Sequence, residues 1–244
     1  MPIPELVWSR WLLGCFCAFS VGVAKTGVPG LGILAIPLMV LAVGDARLSA
    51  GWLLPILCVA DVFAIWYYRR HAALWQLFSL APWVLVGMAI GAATLSLDEH
   101  YLRRIVAVVV LVMLAAYLRR RLNPNAKSAP GHSMRYGVTA GFATTVANAA
   151  GPVMNLYLLS KKLPKEEFIA TGAWFFFVIN LSKLPIYTWH GLISPESLSF
   201  NVLMIPAVIA GALTGRWVIT RIAPRVFEAL VVGLTAAATL LLFR

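Results

Sequence analysis

Lys25, Asp61 and Lys183 are ionisable side chains set inside long apolar sequence, and Asn180 stands one helical turn before the last of them. An ammonium there can hold an anion through its charge and three N–H donors. A carboxylate can carry a proton or pair with the ammonium, and an amide can donate to either partner. Lys25 has about 14 apolar residues on each side, so even its long stem reaches an interface with difficulty. Asp61 stays open between two roles, a proton-coupling carboxylate and the ion-pair partner of Lys25 or Lys183.

The sequence beside Lys25 breaks a helix. Lys25-Thr26-Gly27-Val28-Pro29-Gly30-Leu31-Gly32 places three glycines and a proline at the centre of an apolar block from Trp11 to Val43. As one helix those 33 residues would reach about 50 Å, against a hydrocarbon core of about 30 Å. Ala147-Asn148-Ala149-Ala150-Gly151-Pro152 is the counterpart later in the chain, with Asn148 matched to Lys25. Unwound backbone at membrane depth survives only against protein or a wet cavity, so two breaks imply a cavity. If both tips meet near the midplane, helix N-termini beginning near Gly30 and Pro152 aim their positive ends at it, which makes an anion site. The candidate ligands are Lys25, Thr26, Gly27, Gly30, Gly32, Asn148, Gly151, Asn155, Asn180 and Lys183. Asn155 and Tyr157 read equally well as packing residues.

Composition fixes the surroundings of these elements. Of 244 residues 61% are hydrophobic and 12% charged, where a soluble domain carries roughly 25% charged. The net charge of +11 falls in short groups between apolar runs rather than in a stripe, which argues for membrane anchoring and against nucleic acid. Cys15, Cys17 and Cys58 lie in apolar segments and read as packing residues, with no metal spacing. The first apolar run lacks the flanks of a removable leader.

Eight apolar blocks are separated at the middle by a polar stretch, Arg119 to Arg135. The expected organisation is a first membrane repeat over 1–122, a linker over 123–135 and a second repeat over 136–244, together one transport unit. Pro82, Gly87 and Gly91 recur 124 residues later as Pro206, Gly211 and Gly215, while Asp61, Tyr68 and His71 recur 119 residues later as Asn180, Tyr187 and His190. The Gly87/Gly91 and Gly211/Gly215 pairs are the spacing of close helix contacts. With eight crossings the loop cations divide nine against nine. With blocks one and five as re-entrant hairpins they divide thirteen against five, the asymmetry expected of a cytoplasmic side. The expectation is therefore an all-α integral membrane protein of two inverted repeats, each a broken or re-entrant helical hairpin plus three transmembrane helices, with both termini outside.

Ala24-Lys25-Thr26-Gly27-Val28-Pro29-Gly30-Leu31-Gly32 running on to Ile36-Pro37-Leu38 resembles the first-repeat motif of the sulfite exporter TauE/SafE family. Ala147 to Pro152, Tyr157-Leu158, Thr171-Gly172-Ala173-Trp174 and Asn180-Leu181-Ser182-Lys183-Leu184-Pro185 resemble its second repeat, so the likeness covers nearly the whole chain. The resemblance implies a permease of the cell inner membrane for sulfite, organosulfonates or related anions. Alternating access around a midplane anion is the expected mechanism, driven by a gradient, since no ATP-binding motif is present. The expected partners are a small anionic substrate and the lipid bilayer, with a homo-oligomer open and no cofactor or metal. An integral membrane enzyme on a small or lipid-linked anionic substrate is the competing reading. It lacks a nucleophile-and-base pair within the apolar blocks.

Overall fold

The computed structural model describes residues 4, 6–94, 99–122, 132–147 and 150–241. Among them the chain is all-helical: α1 (Trp8–Thr26), a 3₁₀ turn (Leu31–Leu34), α2 (Ala35–Val43), α3 (Ala46–Tyr68), α4 (Leu74–Ala93), α5 (Glu99–Leu122), α6 (His132–Ala147), α7 (Ala150–Ser160), α8 (Lys165–Trp189), α9 (Pro195–Arg221) and α10 (Pro224–Leu241). The first apolar block breaks where glycine and proline interrupt it. Gly27 ends α1, and Gly30 takes φ 108°, a left-handed conformation that costs glycine little. In the fifth block α6 stops at Ala147 and α7 opens at Ala150. Part of the expected linker is helical, because α6 already begins at His132.

Among the described residues four helices are long and apolar enough to cross a bilayer: α3, α4, α8 and α9. Each carries an internal proline (Pro55, Pro82, Pro185 and Pro206), which helices in lipid tolerate when neighbours satisfy the freed carbonyl. Polar side chains fix their ends. Asp45 caps α3 by accepting the Leu48 amide at 2.7 Å. Ser194 and Ser197 form a reciprocal cap on α9, and Lys165 donates to the Ile219 and Ile222 carbonyls at its other end.

The helices gather into two compact units, and each unit takes elements from both sequence halves. The first comprises Met1–Ala72 with Lys165–Phe227, and the second Ala73–Pro164 with Glu228–Arg244. In the first unit Phe200 of α9 packs between Trp11 and Trp52, with ring centroids 5.3 and 5.1 Å away. Cys17, Val21, Met39, Ile56 and Val208 complete that core. In the second unit α4 packs along α6, and α5 lies against α6 and α7.

Small residues let helix backbones touch in both units, and the contacts repeat. In the first unit a Cβ on Gly22 of α1 would collide with the Val208 carbonyl and Ala212 amide of α9. One on Gly211 would strike the Phe19 carbonyl, and one on Gly215 would strike Val23 and Thr26. In the second unit a Cβ on Gly141 of α6 would meet the Val84 carbonyl and Met88 amide of α4. One on Gly87 would meet Val138, and one on Gly91 would meet Phe142 and Thr145. Adding 119 to each α1 number and subtracting 124 from each α9 number converts the first set into the second. By this offset Lys25 corresponds to Thr144.

Candidate functional site

Lys25 occupies the last turn of α1, where unpaired carbonyls and the negative end of the helix favour a cation. The break that follows is held tightly. The Val23 carbonyl accepts the amides of Gly27 at 2.9 Å and Val28 at 3.1 Å. The Thr26 carbonyl accepts the Tyr68 hydroxyl at 2.8 Å. The Thr26 hydroxyl, fully buried, lies 2.7 Å from the Ala212 carbonyl of α9 and 3.0 Å from that of Gly22. Gly27 itself abuts the Gly215 carbonyl. Thr26 and Gly27 thus lock α1 against α9 and fix the point from which Lys25 projects.

The Lys25 ammonium meets Asp61 Oδ1 at 2.7 Å, with the lysine 14% exposed and the aspartate fully buried. Asp61 Oδ2 accepts from the Asn180 amide at 2.9 Å. One carboxylate oxygen is therefore ion-paired with the ammonium on α1 and the other is hydrogen-bonded by the amide on α8. On α8, Phe176 lies four residues before Asn180 and so on the same face. Its ring sits 4.3 Å beneath the Lys25 ammonium. Lys183, half-buried and one turn beyond Asn180, is within electrostatic reach of Lys25.

Of the candidate residues in the first unit, Lys25, Asp61 and Asn180 meet, Lys183 lies within electrostatic reach of Lys25, and Thr26 turns its hydroxyl to the Ala212 carbonyl of α9 instead. Gly30 supplies the turn of the break. Gly32 lies in the 3₁₀ turn, where a Cβ would reach only Ala24 Cβ, at 3.7 Å. In the second unit Asn155 is buried and donates to Thr235 Oγ1 at 3.3 Å. Gly151 opens the first turn of α7 with no atom near the place of its missing Cβ. Asn148 lies outside the described residues. Tyr157, fully buried, donates to the Gln76 carbonyl at 2.9 Å and stacks obliquely on Tyr136.

Sequence reasoning passed over Phe176 and the structural part of Tyr68. The i, i+4 spacing of Phe176 and Asn180 was the available signal for the first. Nothing in the sequence marked which carbonyl the Tyr68 hydroxyl would find.

Chemically, one ammonium group and one amide meet one carboxylate inside a helical unit, with a second ammonium group within electrostatic reach of the first. Such a cluster carries net positive charge when all three ionisable groups are charged, and it is suited to a small oxyanion. Among the described residues no group of His, Cys, Asp and Glu is arranged to hold a metal ion.

No curated protein and no solved structure matches the chain. The family model for the sulfite exporter TauE/SafE matches residues 14–242. With a match of that extent over helices apolar enough to cross a bilayer, the chain belongs to the sulfite exporter TauE/SafE family of membrane transport proteins.

Proposed function

We propose that the chain is a multi-pass permease of the cell inner membrane that exports sulfite, organosulfonates or related small sulfur-containing anions by alternating access. The observation carrying this reading is the Lys25–Asp61–Asn180 cluster with Lys183 beside it, charge placed in helices otherwise built for lipid. The anion is held by Lys25, Lys183 and the Asn180 amide, in a site that needs no resident cofactor and performs no covalent chemistry.

The matching contacts of α1 on α9 and α6 on α4 support two repeats of one ancestral segment, 1–122 and 136–244, that exchange partners in packing. We read them as inverted, with blocks one and five re-entrant, because that arrangement puts thirteen of eighteen loop cations on one side. Exposed tryptophans at helix ends, Trp8, Trp75 and Trp189, suit the two lipid headgroup regions.

Vesicles reconstituted with the full chain and loaded with radiolabelled sulfite test the function. Saturable efflux that Lys25→Ala abolishes supports it, and efflux equal to that of protein-free vesicles removes it. Cysteines placed at residues 125 and 165 test the topology. They should react from the same side of the membrane, and reaction from opposite sides would show that the fifth block crosses.

A further inference from the structure

We infer that Asp61 is a tethered stand-in for the transported anion, so that each anion enters the cluster only as Asp61 takes up a proton, and anion and proton move together. The inference rests on the permease reading above and concerns how that same site is driven.

The carboxylate holds the positions an oxyanion would need. One oxygen is 2.7 Å from the Lys25 ammonium and the other 2.9 Å from the Asn180 amide. A substrate oxygen cannot take either donor while a charged Asp61 oxygen occupies it. Two anions side by side in a buried site also repel strongly.

The groups facing Asp61 leave protonation as the means of release. From α1 there is Lys25, from its own helix Cys58 one turn back, and from α8 Asn180 with Lys183 beyond it. The packed stretch of α9 has no ionisable side chain between Glu196 and Arg216, and α2 has none at all. On α8 the carboxylates Glu166 and Glu167 lie in its first turn, about four helical turns from Asn180, so among the described residues of these helices Asp61 is the acid beside Lys25.

Charge bookkeeping then favours a one-to-one exchange. The empty cluster of two ammonium groups and one carboxylate carries one net positive charge. With Asp61 protonated and one monoanion bound, the net charge is the same. The proton comes from water on the side where the anion enters, sits on an Asp61 oxygen, and can be donated there to an anion oxygen. It leaves to water with the anion on the opposite side, and Asp61 returns to Lys25.

The test uses the full chain in vesicles with two labelled anions, sulfite and methanesulfonate, the second remaining ionised throughout the working pH range. Any proton dependence of methanesulfonate flux therefore belongs to the protein. A pH gradient of one unit, acidic on the supply side, should accumulate the anion about tenfold across the membrane at steady state, one proton balancing one anion. Asp61→Asn should lose that accumulation, and Asp61→Glu, which keeps a carboxyl group, should retain it. Should Asp61→Asn fail to fold, the unaltered protein still decides: an anion gradient alone must drag protons and shift the internal pH. Anion flux without that shift, or gradient-driven accumulation retained by Asp61→Asn, would each overturn the inference. Movement of neither anion would instead remove the permease reading, and the inference with it.

Discussion

Asp61 and Asn180 are hydrogen-bonded at 2.9 Å and stand 119 residues apart, the same displacement that carries Gly22 to Gly141 and Thr26 to Thr145 in the paired helix contacts. The contact joins α3 to α8 inside the first unit, and Lys25 of α1 reaches the same carboxylate. The two positions differ chemically, one a carboxylate and the other an amide, and the hydrogen bond between them needs one of each.

That difference gives a substitution test. Asn180→Asp should set two carboxylates against each other in a fully buried place and lower the melting temperature of the purified protein markedly. Combining it with Asp61→Asn restores one acid and one amide and should recover most of the loss. Equal melting of the single and combined variants would mean that the two side chains do not share a site.

The ion pair predicts its own asymmetry. Removing one partner by Lys25→Ala leaves an uncompensated buried carboxylate, which costs about 3–5 kcal/mol. Lys25→Ala with Asp61→Asn removes both charges and should be much nearer the unaltered protein in denaturant titrations. A combined variant as unstable as the sum of the two single ones would show that the groups act independently.

The fold was legible where lipid makes residues conspicuous. Lys25, Asp61 and Lys183 stand out because hydrocarbon tolerates few charges, and Gly27 to Gly32 stand out because glycine and proline end helices. Partner choice was not legible. Gly87 and Gly211 carry the same small-residue spacing, and nothing along the chain says that Gly211 meets α1 while Gly87 meets α6. Matching the two breaks by their Gly-Pro signatures pairs Asn148 with Lys25. The packing register instead pairs Lys25 with Thr144, because the helices ahead of the breaks align by their contacts rather than by where they end. The Gly27 amide was expected to serve an anion, yet Val23 already takes it.

Glycines that look alike in the sequence should behave differently. Gly215→Ala drives a methyl into Thr26 and the Val23 carbonyl, and overpacking of that kind costs about 1–3 kcal/mol. Gly32→Ala meets only Ala24 Cβ at ordinary contact distance and should be nearly neutral. Thermal melting of the two variants side by side checks this, and the reverse order would contradict the helix contact.

Tyr68→Phe keeps the ring and removes the hydroxyl that satisfies the Thr26 carbonyl. A buried carbonyl left unpaired costs about 1–3 kcal/mol. The loss should be local, read as faster amide hydrogen exchange over residues 26 to 31 while the body of α9 stays protected. Unchanged exchange there would show that the break needs no such tether.

The most direct measurement is calorimetric titration of sulfite into the purified full chain, set beside the variant combining Lys25→Ala with Asp61→Asn, which keeps the net charge of the cluster. Saturable binding by the unaltered protein, absent from a variant that melts at a similar temperature, is the expected result. Equal binding by both would place the anion elsewhere and contradict the account.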